Sequence, residues 1–137
     1  MMNILFFLHP KSEIKYIYDD CSLRKGIELM RGDGYSAIPV INREGKYVTT
    51  ISEGDFLNHI IDKGECSLKK LEDTLIGDIA GDNRNPAVSI NATMGDLISR
   101  AMEQNFVPVT DDRGMFVGII TRKDIIKFLA TEEGDIK

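Results

Sequence analysis

Cysteine, histidine and aromatic residues are scarce in this sequence. Its 137 residues include two cysteines, two histidines and no tryptophan, and aromatic residues make up 7%. The cysteines, Cys21 and Cys66, are too few for a disulfide framework and are typical of a protein from a reducing compartment. The cysteines and histidines have no paired spacing, so the sequence predicts no metal site.

Long apolar runs and an excess of basic charge are also missing. The longest apolar run, residues 4–8, is far shorter than the roughly 20 residues of a membrane-spanning helix and lacks the features of a secretory signal. We expect this run to pack on the core of a cytoplasmic protein that does not contact membranes. Seventeen Lys and Arg against 22 Asp and Glu give a net charge of −5, which argues against nucleic-acid binding.

What the chain does contain is an internal duplication. Residues 39–60 align without a gap to residues 108–129 at an offset of 69, with six identities and five close substitutions. The preceding helices align at an offset of 71, so the second copy lacks two residues in the turn before its Pro-Val strand. We interpret the copies as two homologous half-domains.

Each copy has the pattern β-α-β-β-α, which indicates an α/β (α+β) fold. A unit of ~60 residues buries so small a fraction of its surface that it is only marginally stable alone. We therefore expect the copies to pack through their sheets around one core, with pseudo-two-fold symmetry. The predicted strands are residues 15–18, 37–41, 47–51, 87–90, 107–109 and 116–120, and the predicted helices begin near residues 23, 53, 94 and 122.

The division of the chain follows from the repeat. We assign residues 1–64 to an N-terminal segment plus the first copy, and residues 65–137 to a connector plus the second copy. The connector, residues 64–82, is polar with one or two helical turns. In the last helix of the first copy we expect four apolar side chains to face inward, namely Phe56, Leu57, Ile60 and Ile61.

The residues with chemical potential lie where the last strand of each copy meets its last helix. They are Ser52-Glu53-Gly54-Asp55 and Thr121-Arg122-Lys123-Asp124. One interpretation is structural, because a hydroxyl followed three residues later by a carboxylate caps a helix without any ligand. The other is functional, because the free N–H groups at a helix start bind phosphate and the carboxylate can accept both hydroxyls of a ribose. The adjacent cations Arg122 and Lys123 favour the functional interpretation in the second copy.

These residues resemble the tandem cystathionine-β-synthase-type (CBS) domain pair, also called a Bateman module. Its motif is Gly-apolar-apolar-Ser/Thr-x-x-Asp after an apolar-Pro-Val strand, and residues 118–124 fit it at every position. Residues 49–55 depart from it, since Thr49 replaces the glycine that would let the backbone approach a ligand closely and Glu53 adds negative charge. The resemblance covers roughly residues 10–131.

The resemblance implies adenine-nucleotide sites in the cleft between the two copies, each with residues from both. At the better site Asp124 would bind the ribose hydroxyls and Thr121 the phosphate, with Arg122 and Lys123 nearby. The opposite wall of this site would consist of Ser12, Lys15, Tyr35, Ser36, Ala37 and Pro39. A weaker second site would consist of Ser52, Asp55, Ala87, Asn105, Phe106 and Pro108. We expect one occupied site per chain.

Two functions are compatible with such a chain. The first is a stand-alone regulatory module for signal transduction, which binds AMP, ADP, ATP or cyclic di-AMP and acts on an effector protein in trans. The alternative is a ligand-free homodimerisation scaffold, for which the exposed faces of helices 53–61 and 122–130 would serve. Catalysis is disfavoured, because no nucleophile has a histidine nearby in sequence and no glycine-rich phosphate loop occurs. We interpret His9 and His59 as structural histidines.

Overall fold

The computed structural model describes residues 3–33, 36–64, 67–80 and 85–132. The chain forms two compact units. The first-repeat unit is Lys15–Arg84, and the second-repeat unit combines Met1–Ile14 with Asn85–Lys137. In chain order the described residues form β1 (His9–Pro10), β2 (Ile17–Tyr18), α1 (Leu23–Asp33), β3 (Ala37–Ile41), β4 (Tyr47–Ser52), α2 (Glu53–Lys63), α3 (Leu68–Asp73), α4 (Ile76–Ile79), β5 (Val88–Ser89), α5 (Met94–Ala101), β6 (Phe106–Thr110), β7 (Phe116–Thr121) and α6 (Arg122–Glu132).

The first-repeat unit is built on a three-stranded sheet in the order β2-β3-β4. β2 is parallel to β3, and β3 is antiparallel to β4. Helix α1 begins after Ser22, whose side chain accepts a hydrogen bond from the backbone N–H of Lys25 at 3.1 Å. The buried core of the unit consists of Ile17, Leu23, Met30, Ile38, Val40, Ile51, Phe56 and Ile76.

The second-repeat unit repeats this sheet and adds one strand to it. Its order is β1-β7-β6-β5, in which β1 is antiparallel to β7, β7 is antiparallel to β6, and β6 is parallel to β5. The buried core of this unit consists of Ile4, Phe7, Val88, Leu97, Ala101, Val107, Val109, Ile120 and Ile125.

The duplication inferred from the sequence is confirmed in the strand register. Ala37 pairs with Ser52 in the first sheet, and Phe106 pairs with Thr121, each 69 residues further along, in the second. Both hairpins also shift register at corresponding places, between Val40 and Ile41 and between Val109 and Thr110. All the predicted strands and helices are present, with ends within a few residues of the predicted ones.

The N-terminal segment and the connector do not belong to the units to which we assigned them from the sequence. Residues 3–14 lie in the second-repeat unit, where Ile4 and Phe7 are buried, so this apolar run does pack on a core as predicted. The connector lies in the first-repeat unit, where Ile76 of α4 is fully buried. Each repeat thus gains apolar side chains from a segment outside its own β-α-β-β-α pattern. The buried side chains of the described residues form one cluster in each unit.

One prediction about α2 is wrong. Phe56 is buried and Ile60 half-buried, but Leu57 and Ile61 are 58% and 66% exposed. Residues four apart lie on one helix face, and the next residue lies about 100° further round. The face of α2 that packs on the core is therefore narrower than the face formed by all the apolar residues of this helix.

Candidate functional site

The start of α6 brings together the motif residues of the second copy. β7 ends at Thr121, whose hydroxyl accepts a hydrogen bond from the backbone N–H of Asp124 at 3.2 Å. This is the helix cap that the sequence predicts. Oδ2 of the Asp124 carboxylate lies 2.5 Å from Nε2 of His9. The side chains of His9 and Asp124 are 43% and 34% exposed.

Strand pairing places His9 beside this carboxylate. His9 pairs with Ile119 and Pro10 with Gly118, so β1 runs along the outer side of β7. Gly118 has φ +155°, and a Cβ at that position would collide with the carbonyl oxygen of His9. The motif glycine is therefore needed for the close approach of the chain's own N-terminal strand. In the first-repeat unit β4 pairs only with β3 among the described strands, and Thr49 occupies the equivalent position there.

The electrostatic environment of Asp124 favours its charged form. The hydrogen bond from His9, with a further one from Thr121 and the nearby charge of Lys127, holds the pKa of the Asp124 carboxyl below its usual value. Partial desolvation opposes this shift without cancelling it. Asp124 is thus an ionised hydrogen-bond acceptor at neutral pH.

Arg122 is hydrogen-bonded within its own unit, which occupies two of the five N–H donors of its guanidinium. Its Nε donates to the carbonyl of Ala101 at 2.6 Å and its Nη1 to Oδ1 of Asn105 at 3.0 Å. Ala101 is the last residue of α5, and carbonyls at a helix C-terminus have no partner within the helix. Arg122 therefore satisfies the end of α5, which is a structural role.

Lys123 is the exposed cation of this pair. It borders an open depression of about 430 Å³ beside the start of α6. A basic side chain at a helix N-terminus, where the helix dipole is positive, is suited to an anion such as phosphate. The depression is lined by Asn105, Thr121, Arg122, Lys123, Ile126 and Lys127.

A second depression is lined by His9, Asp124 and Lys127 together with aromatic rings. Its volume is also about 430 Å³. Phe7 and Phe128 contact each other edge to face with ring centroids 5.0 Å apart, and the ring of Phe6 is 72% exposed. This surface offers a carboxylate, an ammonium group and an apolar ring within one small region.

The start of α2 has the same Ser/Thr-x-x-Asp pattern, but the carboxylate of its Asp55 has different hydrogen-bond partners. Oδ2 of Asp55 accepts from the backbone N–H of Ser52 at 2.8 Å and from its hydroxyl at 3.2 Å, while Ser52 Oγ accepts from the N–H of Asp55. This is a complete capping box. Asp55 is only 4% exposed. The structural interpretation therefore accounts for the first-copy motif.

Four of the remaining predicted site residues lie beside the start of the last helix of their own unit. In the first-repeat unit Ala37 pairs with Ser52, and the carbonyl of Ser36 accepts from Glu53 N–H at 3.0 Å. In the second-repeat unit the carbonyl of Asn105 accepts from Arg122 N–H at 2.9 Å, and Phe106 pairs with Thr121. Ser12 and Lys15 are exposed, Ala87 is half-buried, Pro39 and Pro108 are buried, and Tyr35 lies outside the described residues.

His9 is the residue of this region whose role the sequence did not reveal. We interpreted it as a structural histidine, yet its ring contacts the ribose-binding candidate across 115 positions of chain. No local pattern connects two residues so far apart. The one available signal was Gly118, because a glycine in a strand indicates close approach of another backbone or a ligand.

The described residues contain neither a cluster of metal ligands nor a membrane-spanning helix. Within the ranges given above, no three His, Cys, Asp or Glu side chains are grouped to hold a metal ion. No helix in the described part of the chain has the length and apolar character needed to cross a membrane.

Comparison with known proteins identifies the family. The CBS domain model matches residues 8–62 and 76–131. CbpB in complex with c-di-AMP has a TM-score of 0.88 at 28% identity, with 98% of this chain and 88% of that chain covered. A CBS domain protein from Streptococcus pneumoniae TIGR4 has a TM-score of 0.86 at 26% identity, with coverages of 97% and 90%. The uncharacterized protein MJ1426 of Methanocaldococcus jannaschii is 29% identical in an alignment that covers 82% of this chain and 84% of that protein. The chain therefore belongs to the CBS-domain family and carries two CBS domains in tandem.

Proposed function

We propose that this protein is a regulatory module that binds an adenine nucleotide at the start of α6. The observation that carries the proposal is its similarity over nearly its whole length to CbpB, which was solved with c-di-AMP. Cyclic di-AMP is therefore the first ligand to test, followed by AMP, ADP and ATP. A regulatory role without catalysis agrees with the sequence, in which no catalytic constellation is recognised.

The two equivalent aspartates support a single principal site. Asp124 is ionised, one-third exposed and bordered by a depression, so its carboxylate can accept hydrogen bonds from ribose hydroxyls. Asp55 is buried and already accepts two hydrogen bonds from Ser52. Ribose recognition by Asp55 would require opening the α2 cap, which costs about 1 kcal/mol or more.

Lys123 is the cation that we assign to the phosphate. It is exposed and lies beside the N–H groups at the helix start, whereas the guanidinium of Arg122 is bound to Ala101 and Asn105. The contributions of Ser12, Lys15, Tyr35, Ser36, Ala37 and Pro39 stay predictions, as does the weaker second site. The cytoplasmic location and the effector protein also stay predictions.

Isothermal titration with cyclic di-AMP, AMP, ADP and ATP tests the proposal, using protein freed of co-purified nucleotide. We expect micromolar binding of one of these ligands at about one per chain. Asp124→Ala should weaken it by more than tenfold, because a hydrogen bond to a charged group contributes about 1.5–3 kcal/mol. Asp55→Ala is the matched control. It should lower the free energy of unfolding, because it removes the α2 cap, and should change the nucleotide affinity less than Asp124→Ala does.

Two outcomes would contradict this assignment. If Asp124→Ala retained affinity within about threefold, which is under ~0.7 kcal/mol, the ribose would not be bound by Asp124. If Asp55→Ala lost more affinity than Asp124→Ala, the principal site would lie at the start of α2. Absence of binding for all four nucleotides would refute the regulatory function itself.

A homodimerisation role is supported by a separate observation. Leu57 and Ile61 of α2 and Ile126 of α6 are each more than half exposed, and exposed apolar side chains on one helix face are typical of interaction surfaces. We propose that these faces form a homodimer interface. Ile61→Glu should shift the protein from dimer to monomer in light scattering after size exclusion, while the exposed-site control Lys69→Glu should not. A monomeric wild-type protein would contradict the proposal.

A further inference from the structure

The contact between His9 and Asp124 connects the N-terminal strand to the start of α6. Nε2 of His9 and Oδ2 of Asp124 are 2.5 Å apart, so the ring N–H donates and the carboxylate accepts. The backbone of His9 is held by its pairing with Ile119, and the backbone of Asp124 by its bond to the Thr121 hydroxyl. Both ends of the contact are therefore anchored in regular structure.

The equivalent position in the first repeat shows what this contact changes. Asp55 directs its carboxylate back to the N–H and hydroxyl of Ser52 and is buried. There β4 pairs with β3 alone among the described strands, so its outer side carries no strand corresponding to β1. In the second repeat β1 supplies His9, and the carboxylate of Asp124 reaches outward to it. The contact with His9 thus distinguishes Asp124 from Asp55, whose carboxylate is bound in a helix cap.

The Asp124 carboxylate, held by His9 and Thr121, retains acceptor capacity. A carboxylate offers about four lone-pair positions, of which the donors His9 and Thr121 use two. The side chain is still 34% exposed and borders the depression that Lys127 and Phe128 also line. Its volume of about 430 Å³ lies within the usual range for small-molecule sites, roughly 300–1,000 Å³.

We propose that His9 is a positioning residue for ribose recognition: its ring N–H holds the Asp124 carboxylate outward, in the orientation that accepts the ribose hydroxyls. The inference rests on the proposed function, since it concerns the same nucleotide. It assigns the N-terminal segment a part in ligand recognition through Asp124. Without His9, the carboxylate would turn back to cap α6, as Asp55 caps α2.

The test compares ribonucleotides with analogues that lack free ribose hydroxyls. Cyclic di-AMP and AMP are titrated beside cyclic di-2′-deoxyAMP and 2′,3′-dideoxy-AMP into the wild-type protein, His9→Ala, His9→Gln and His9→Asn. A side-chain amide of Gln can place its nitrogen near the position of histidine Nε2, whereas that of Asn is one methylene too short. His59→Ala, which removes the other histidine, is the matched control.

We expect His9→Ala and His9→Asn to weaken binding of the ribonucleotide about tenfold, and binding of its hydroxyl-free analogue less than twofold. His9→Gln should remain within about threefold of the wild type, and His59→Ala should be unchanged. Equal losses for both classes of ligand would overturn the inference, since they indicate a general structural effect. So would unchanged ribonucleotide affinity in His9→Ala. If the wild-type protein bound none of the probes, the proposed function would fail, and the inference with it.

Discussion

Replacing Gly118 with alanine tests the central structural feature of the second-repeat unit. An alanine Cβ at this position would collide with the carbonyl oxygen of His9 and would lie 2.9 Å from Cδ1 of Leu8. The backbone φ of +155° is also unfavourable for any residue with a side chain. Since the carbonyl belongs to a paired strand, it cannot move away as the end of a flexible side chain could. We expect Gly118→Ala to displace β1 from β7.

The magnitude follows from two separate costs. Backbone strain at such a φ costs about 1–3 kcal/mol, and overpacking against neighbouring atoms costs about 1–3 kcal/mol more. Gly118→Ala should therefore lower the free energy of unfolding by about 2–6 kcal/mol. Displacement of β1 would also separate His9 from Asp124, so nucleotide affinity should fall along with stability.

Two other glycines separate these costs in the same assay, urea unfolding followed by circular dichroism. Gly114 has φ +82°, but no atom of the described residues lies within 4 Å of where an added methyl group would sit, so Gly114→Ala should show the strain alone. Gly32 in α1 has an ordinary φ and open space, so Gly32→Ala should stabilise by about 0.5–1 kcal/mol. If Gly118→Ala destabilised no more than Gly114→Ala, the close contact between β1 and β7 would be refuted.

Two further predictions concern the start of α6. Arg122→Ala should destabilise the protein by about 1.5–3 kcal/mol, because it removes the hydrogen bonds of a charged group to Ala101 and Asn105. Lys123→Ala should instead weaken nucleotide binding and leave the urea midpoint unchanged. The reverse pattern would show that Arg122 binds the ligand. The pKa of Asp124 is depressed in the folded state by His9, so its ionisation stabilises the fold above the unfolded-state pKa of about 3.9, and this contribution is lost as the pH falls below that value. The stability difference between the wild type and Asp124→Asn should therefore shrink as the pH falls from about 5 towards 3. A difference that stayed unchanged down to pH 3 would mean that the charge of Asp124 is not its cause.

The fold could be predicted because its signals are local. Ser22 before an amphipathic run, the Pro-Val strands and the paired turns are each encoded within about ten residues, and each appears in the structure. The ungapped repeat then required the second copy to have the topology of the first, which the shared register confirms. The exposure of Leu57 and Ile61 could not be predicted in the same way, because apolar character alone does not show how wide a helix face the core covers.

The candidate site was predicted in part for the same reason. Thr121 and Asp124 lie three residues apart, and their position at a helix start follows from the strand-to-helix pattern. The role of Arg122 depends on where the end of α5 lies in space, 21 residues earlier in the chain. A sequence motif cannot distinguish a cation that binds a phosphate from one that binds a carbonyl.

The sequence by itself determined the duplication, the β-α-β-β-α pattern of each repeat and the family, because periodicity, turns and motif spacing act over short distances along the chain. Only the tertiary structure decided which repeat the N-terminal segment joins. β7 accepts a second neighbouring strand because Gly118 has no side chain to block it, and that pairing brings His9 to Asp124. The first repeat has Thr49 at this position and closes its aspartate into a helix cap. The two copies of the motif thus differ in their chemistry through a contact between residues 115 positions apart.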